Sequence, residues 1–399
     1  MEKIVLAYSG GLDTSVAIGW LKEKYDAEII TLTADVGNER DFTGIRQKAI
    51  QVGASKALVA DAKEEFVKDF VFPALQADAI YQGQYCLATA LTRPLIAKLL
   101  VDTARQEGAT AVAHGCTGKG NDQVRIEVGV SALAPELHIM APAREWGMTR
   151  EQTIKYAQDR NIPVPITLSS PYSIDESLWG RAIECGVLED PWAEPPDNVF
   201  SWTKSPDNAP ASPEYVELDF EEGTPVALGG EPMGGLLLLQ KLNDLAGEHG
   251  VGRVDHIEDR LVGIKSREIY EAPGATVLLA AHRALESLTL SRDQLRFKQK
   301  VADEYADLVY NGLWYSALHE DLTAFVQSSR KFVTGTVRMK LFKGNCSVVG
   351  RKSSYSLYRH ELATYDEGDV FRQEDSAGFI HLWGLSAKTQ AQARRQQRQ

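Results

Sequence analysis

The run Ser9-Gly10-Gly11-Leu12-Asp13-Thr14-Ser15 follows directly on the apolar stretch Ile4-Val5-Leu6-Ala7-Tyr8, and it constrains the fold more than any other segment. An apolar strand, a turn with two glycines and three hydroxyls, and a helix over residues 16–24 together build a cradle for an anion. Gly10 and Gly11 let backbone N–H groups approach a phosphate closely, and the helix N-terminus adds the positive end of its dipole. The hydroxyls of Ser9, Thr14 and Ser15 supply further hydrogen bonds. The loop lacks the GxxxxGK[ST] pattern, so it carries no lysine of that kind to reach a γ-phosphate. Such a cradle suits the pyrophosphate part of ATP in chemistry that cleaves between the α- and β-phosphates. The plainer alternative is a strand-to-helix turn with a serine-rich cap. The coincidence of glycines, aspartate and hydroxyls within this one short run weighs against it.

Residues 1–165 alternate short apolar runs with helical patterns, the rhythm of a parallel sheet covered on both faces. Strands are predicted at 4–8, 28–33, 56–59 and 110–114, with helices at 16–24, 42–52 and 91–107. The predicted class is α/β: a doubly wound parallel-sheet nucleotide-binding domain over 1–165, an α+β domain over 166–375 and a C-terminal helical arm over 376–399. Ligands of open parallel sheets bind beyond the carboxyl ends of the strands. The glycine loop, Ala34 and the segment after His114 all fall at such ends and are expected to share one crevice. Six of the sixteen prolines lie between Pro191 and Pro213, so that stretch is predicted to be a long connector. A strand at 215–220, a helix at 235–249 and a hairpin pairing 336–342 with 346–349 follow it.

Charge and cysteine usage exclude several classes. With 43 Lys and Arg against 55 Asp and Glu, the net charge of −12 argues against a general nucleic-acid binder, whose footprint is basic. The four cysteines, Cys86, Cys116, Cys185 and Cys346, form no CxxC pair, and no histidine stands at metal-ligand spacing, so no metal site is expected. The N-terminus turns polar after five apolar residues and no window reaches the ~18 apolar residues of a membrane span. A cytoplasmic protein without a membrane partner is expected. The basic Gln/Arg-rich C-terminus reads as a solvated tail.

The segment His114-Gly115-Cys116-Thr117-Gly118-Lys119-Gly120-Asn121-Asp122-Gln123-Val124-Arg125 places many polar groups on a glycine-rich backbone after a buried strand. SGGLDTS by itself resembles the SGGxDS loop of pyrophosphatase-loop enzymes, which adenylate a substrate and release pyrophosphate. AYSGGLDTS, HGCTGKGNDQVR, GVGRVD (Gly250–Asp255) and KSREIYEAP (Lys265–Pro273) together resemble the signatures of the argininosuccinate synthase family. The resemblance runs from residue 3 to about residue 385.

That resemblance implies an ATP-dependent C–N ligase that condenses L-citrulline with L-aspartate through a citrulline-adenylate, with Mg²⁺ accompanying ATP. It implies ATP binding by Ala7, Tyr8, Ser9, Gly10, Gly11, Leu12, Asp13, Thr14, Ser15, Ala34 and Gly115. Thr117, Asn121 and Asp122 would bind aspartate. Tyr85, Asn121, Arg125, Ser173, Glu258 and Tyr270 would bind citrulline, and the catalytic set would be Asp13, Asp122 and Arg125. Arg125 is the natural bidentate partner of a carboxylate. The family often has a hydroxyl residue where this chain has Ala90 and Ala182, so those two citrulline contacts do not carry over. The family is typically a homotetramer whose C-terminal helices embrace neighbours; a frayed terminus is the alternative for this tail. Read singly, Tyr85 is equally a core aromatic, Ser173 a helix cap and Glu258 a solvated surface charge. Rival readings are a tRNA-modifying relative, which would need a basic face or a reactive cysteine pair, and a non-catalytic nucleotide sensor.

Overall fold

A computed structural model describes residues 2–38, 40–163 and 171–397. Ile4, Val5 and Leu6 are fully buried because strand β1 (Lys3–Ala7) lies in the middle of a sheet and feeds two cores at once. Ile4 and Leu6 pack with Ala17, Ile18 and Leu21 of helix α1 (Leu12–Tyr25) on one face. Val5 points the other way, as the two-residue period of a strand requires. It joins a cluster that contains Ala97, Leu100, Val101, Ile126 and Val130. The chain continues through β2 (Glu28–Asp35), α2 (Phe42–Val52), β3 (Lys56–Asp61), α3 (Thr92–Glu107), β4 (Ala111–Ala113), α4 (Asp122–Leu133), β5 (His138–Met140) and α5 (Arg150–Asp159). The strands form a parallel sheet of order β3-β2-β1-β4-β5. The order reverses between β1 and β4, so the loops leaving those two strands flank a crevice.

Two expectations about local structure need correction. Helix α1 starts at Leu12, not at Val16, so Asp13, Thr14 and Ser15 form its first turn. Gly11 is the N-cap and makes no side-chain cap bond, which is why no capping signal marks the start. The polar HGCTGKGNDQVR segment is a loop only as far as Asn121, because α4 begins at Asp122.

Beyond residue 170 the strands pair antiparallel. Strands β6 (Ser173–Ser177), β7 (Gly180–Glu184), β11 (Arg253–Asp259) and β12 (Lys265–Glu271) form one sheet of order β11-β12-β7-β6. Strands β8 (Glu214–Glu221), β9 (Thr224–Leu228), β10 (Glu231–Pro232), β13 (Gly335–Phe342) and β14 (Asn345–Lys352) form the other, of order β10-β9-β8-β13-β14. The last hairpin closes through Lys343-Gly344 alone, since Asn345 already pairs with Phe342. Helices α6 (Gly235–Glu248), α7 (Pro273–Thr289), α8 (Arg292–Tyr310) and α9 (Ala317–Ser329) surround the largest core. The proline-rich connector is tied down by Glu271, which has no solvent exposure. Its carboxylate accepts the backbone N–H groups of Ser201, Trp202 and Thr203 and pairs with Arg181 at 2.7 Å.

The described residues up to Tyr355 form one compact unit, and those from Ser356 onward form a second. The second carries α10 (Asp375–Trp383) and α11 (Leu385–Gln396), and Phe379, Ile380, Leu382 and Trp383 are exposed on it. The predicted boundary between residues 165 and 166 lies outside the described residues.

Candidate active site

The crevice at the strand switch is a cavity of about 240 Å³ lined by Ala7, Tyr8, Ser9, Thr14, Ala34, His114 and Gly115, among others. Backbone geometry shapes it. Gly10 sits at φ +77°, a left-handed conformation that side-chain-bearing residues rarely adopt. A Cβ on Gly115 would come within 2.6 Å of Thr14 Cγ2, so the two loops meet only because residue 115 is glycine. The Ser9 hydroxyl accepts the Gly11 N–H at 3.3 Å and bonds Thr14 Oγ1 at 3.1 Å. With no side-chain cap, the first-turn N–H groups of α1 stay available to an anion. His114 anchors the second loop: Nδ1 accepts the Cys116 N–H, and Nε2 faces Glu127 at 2.9 Å.

Lys48, on α2, donates to the Gly10 carbonyl at 2.7 Å and brings a positive charge to the loop that the sequence pattern did not signal. Asp13 lies on the first turn of α1 outside the cavity lining. Burial raises its carboxyl above the ordinary range, and the charge of Arg150 partly offsets this. The Ser15 hydroxyl is engaged with the Tyr8 hydroxyl at 3.1 Å and is buried. Gly10 and Gly11 of the loop, and Leu12 at the start of α1, do not line the cavity.

A second cavity, of about 110 Å³, is lined by side chains from Tyr85 to Tyr270. Tyr85, Asn121, Asp122, Arg125, Ser173, Glu258 and Tyr270 all line it, so the structure gathers every predicted amino-acid contact except Thr117 at one place. Ser173 opens strand β6 and therefore caps no helix. Glu258 is buried, not solvated; the Tyr270 hydroxyl donates to its Oε2 at 2.5 Å and the Tyr310 hydroxyl to its Oε1 at 2.6 Å. The Tyr85 hydroxyl accepts the N–H groups of Thr89 and Ala90 at 3.0 and 3.1 Å. Ala182 presents a methyl group to the cavity, whereas Ala90 is fully buried outside it.

Arg125 is buried at 4% exposure, donates Nε to the Tyr310 carbonyl at 2.8 Å and reaches Asp122 with Nη1 at 3.1 Å. Its Nη2 has no partner among the described residues. A buried guanidinium N–H without an acceptor suits an incoming carboxylate.

The two cavities share a wall. Asp122 and Asp175 line both, and the Arg93 guanidinium bridges the two carboxylates, meeting Asp122 at 2.6 Å. Asp122 thus shares its guanidinium partner with a second acid, Asp175. Burial would push its carboxyl up, but the charges of Arg93 and Arg125 outweigh that and hold it well below the usual carboxylate range. Farther along the second cavity, Arg260 pairs with Glu184 and with Glu268. Burial, reinforced by Glu184, pushes the Glu268 carboxyl up to about 8.

Thr117 is exposed and lines neither cavity. Sequence reasoning missed Arg93, Asp175, Lys48 and Tyr310, none of which belongs to a motif segment. Among the described residues, no group of three or more His, Cys, Asp or Glu side chains is placed to hold a metal ion. No helix among them is long and apolar enough to cross a membrane.

Residues 3–163 match a family model described as the arginosuccinate synthase N-terminal HUP domain, and residues 172–390 one described as its C-terminal domain. The chain belongs to the argininosuccinate synthase family. A relative from Dehalococcoides mccartyi named argininosuccinate synthase is 63% identical over 391 residues, covering 98% of this chain and 96% of its own. Relatives of the same name from Symbiobacterium thermophilum and Gloeobacter violaceus are 57% and 56% identical, covering 98% and 99% of both chains. Membership makes the chain an ATP-dependent ligase with a HUP-type parallel-sheet domain.

Proposed function

We propose that the chain condenses L-citrulline with L-aspartate at the expense of ATP, forming argininosuccinate, AMP and pyrophosphate by way of a citrulline-adenylate, in the service of arginine biosynthesis. The observation that carries the reading is the wall formed by the pair Asp122 and Asp175, common to the backbone-built cavity and the side-chain-built one and bridged by Arg93 from the lining of the first. Two reactants held on either side of such a wall can meet in line, which is where most of the catalytic gain in this chemistry arises.

A ureido carbonyl has no good leaving group. Attack of its oxygen on the α-phosphorus, with departure of pyrophosphate, installs AMP as one. The aspartate amine then displaces AMP. In this reading the loop from Ala7 to Ser15, with Ala34 and Gly115, holds ATP. Tyr85, Asn121, Arg125, Ser173, Glu258 and Tyr270 hold citrulline, with the free Nη2 of Arg125 taking its carboxylate. Thr117, Asn121 and Asp122 hold aspartate. Both Asp122 oxygens already accept from arginine, yet an ionised carboxylate has about four lone-pair sites, so room for an ammonium group persists. Mg²⁺ enters as part of the Mg·ATP substrate, with Asp13 the carboxylate nearest the phosphate loop by sequence. That arrangement agrees with a cation that keeps its waters and leans on substrate phosphates.

We further assign nucleotide binding to residues 1–165, which also lend Tyr85, Thr117, Asn121, Asp122 and Arg125 to the amino acids, the remaining amino-acid contacts to 166–375 and assembly of a cytoplasmic homotetramer to 376–399. The exposed Phe379, Ile380, Leu382 and Trp383 supply an apolar surface for a neighbouring copy. The test is pyrophosphate release. Citrulline alone is expected to support exchange of label between ATP and pyrophosphate, while net argininosuccinate formation needs both amino acids. Exchange that proceeds equally well without citrulline overturns the reading.

A further inference from the structure

Three of the residues assigned to the amino-acid cavity converge on one side chain that no motif marks. Tyr310 is the last residue of helix α8 and has no solvent exposure. Its hydroxyl donates to Glu258 Oε1 at 2.6 Å and accepts from Asn121 Nδ2 at 2.8 Å. Its carbonyl accepts Arg125 Nε at 2.8 Å, and the Arg125 guanidinium lies over its ring, 4.6 Å from the centroid.

The ring itself is fixed from two more sides. Tyr81 stacks on it at 3.6 Å between centroids and Tyr85 meets it edge-on at 6.3 Å, while Tyr85 in turn stacks on Tyr270 at 4.3 Å. Burial and the Glu258 charge keep the Tyr310 phenol protonated far above neutrality, so it is a constant donor. The chain of bonds extends outward as well: Asn121 Oδ1 accepts the Leu261 N–H at 3.0 Å. The Leu261 N–H, Asn121, Tyr310, Glu258 and Tyr270 thus form one continuous run of donors and acceptors, and Tyr310 stands in its middle. Such runs are orienting devices, because each member has one partner it must face.

We infer that Tyr310 is a positioning residue for the citrulline side of the site, acting through Glu258, Asn121 and Arg125 without touching the nucleotide. The inference rests on the proposed reaction. Each of the three partners has another role in that reaction; Arg125 is also held by Asp122, whereas Glu258 Oε1 and Asn121 Nδ2 are both held by the Tyr310 hydroxyl. Among the described residues, Glu258 without Tyr310 keeps the Tyr270 hydroxyl alone, on its other oxygen. Among the same residues, the Asn121 amide keeps the Leu261 N–H alone, on its carbonyl oxygen. Loss of the phenol oxygen therefore frees the two amide-and-carboxylate contacts together, whereas the backbone bond to Arg125 and the ring stacking persist.

Tyr310→Phe isolates that oxygen. A hydrogen bond to a charged group contributes about 1.5–3 kcal/mol, so the citrulline KM is expected to rise on the order of 10-fold or more while the ATP KM stays within about twofold. Tyr305→Phe, on the same helix but outside this cavity, is expected to leave the citrulline KM unchanged. Combining Tyr310→Phe with Glu258→Gln closes a double-mutant cycle. If Tyr310 works through Glu258, the double variant is no worse for citrulline than Glu258→Gln alone by more than about twofold.

An unchanged citrulline KM in Tyr310→Phe overturns the inference. So does an equal rise in the citrulline and ATP KM values, or strict additivity with Glu258→Gln, because either describes a packing role. Calorimetric titration of citrulline without nucleotide reads the same loss of affinity from binding alone should turnover be too slow to follow. The wild-type enzyme in the same series reports on the reaction itself: if its pyrophosphate release ignores citrulline, the proposed reaction has failed irrespective of what the variants do.

Discussion

The two cavities differ in what they are made of. The nucleotide cavity is drawn mostly from the first 126 residues and is shaped by loop backbone at the ends of parallel strands, with Gly115 allowing the closest approach. The amino-acid cavity is drawn from side chains between Tyr85 and Tyr270 and braced by Tyr310. Five carboxylates line it, from Asp122, Asp175, Glu184, Glu258 and Glu268, against the two guanidinium groups of Arg125 and Arg260. A phosphate needs only N–H groups and a dipole, which any well-formed turn supplies. Two zwitterions with the same α-amino-acid head need fixed charges, and fixed charges need buried partners. The second kind of site is therefore the more fragile and the more selective.

Substitution of the shared wall tests that contrast most severely. Asp122→Asn removes a charge with little change of shape, and condensation with aspartate is expected to fall on the order of 10²-fold. Adenylation, followed as citrulline-dependent exchange between ATP and pyrophosphate, should persist, because Arg93 keeps Asp175. A parallel loss of both steps, seen by rapid-quench detection of the adenylate beside steady-state turnover, would merge the two cavities into one functional unit.

Arg125→Lys probes the amino-acid side alone. The three N–H groups of a lysine radiate from one nitrogen and cannot span the Tyr310 carbonyl, Asp122 and a carboxylate as the planar fork does, so the citrulline KM should rise about tenfold with the ATP KM unmoved. An equal rise for both substrates would mark Arg125 as a prop for the whole unit.

The smallest expected effect is one of pH. Glu268, raised to about 8 by burial and by Glu184, is charged above that value and takes up a proton below it. Weakening the attraction for an ammonium group should raise the citrulline KM a few-fold as the pH drops from about 9 to about 6, with a flat ATP KM. Glu268→Gln is expected to abolish the slope. A pH dependence that appears equally in the ATP KM would show that the acidic cavity does not act by itself.

The same contrast explains what can be read in the sequence. Strand, glycine turn and helix are contiguous in SGGLDTS, and the crevice at the strand switch follows from the βαβ rhythm. The start of α1 escapes the pattern only because Gly11 caps it without a side chain. The amino-acid contacts Tyr85, Glu258 and Tyr270 come from the family resemblance, since each alone reads as an ordinary core or surface residue. Ser173 looks like a helix cap because Asp175 and Glu176 follow it, yet pairing with β7 makes the segment a strand. Arg93, Asp175 and Tyr310 are invisible because their partners are remote: Arg93 meets residues 29 and 82 positions away, and Asn121 meets Tyr310 across 189. Distance along the chain carries no local pattern, so only the folded geometry reveals such pairs.

The long reach of those pairs also dictates how the site comes into being during folding. Contacts between residues far apart in the chain form late, because closing a long loop loses entropy before the contact returns any stability. The β1–β2 pairing of Ile4 with Ile29 joins near neighbours, whereas Asn121 must wait for the end of α8. On refolding from denaturant, affinity for the nucleotide should therefore recover ahead of affinity for citrulline. The interval between them would count the time the chain needs to bring Tyr310 home.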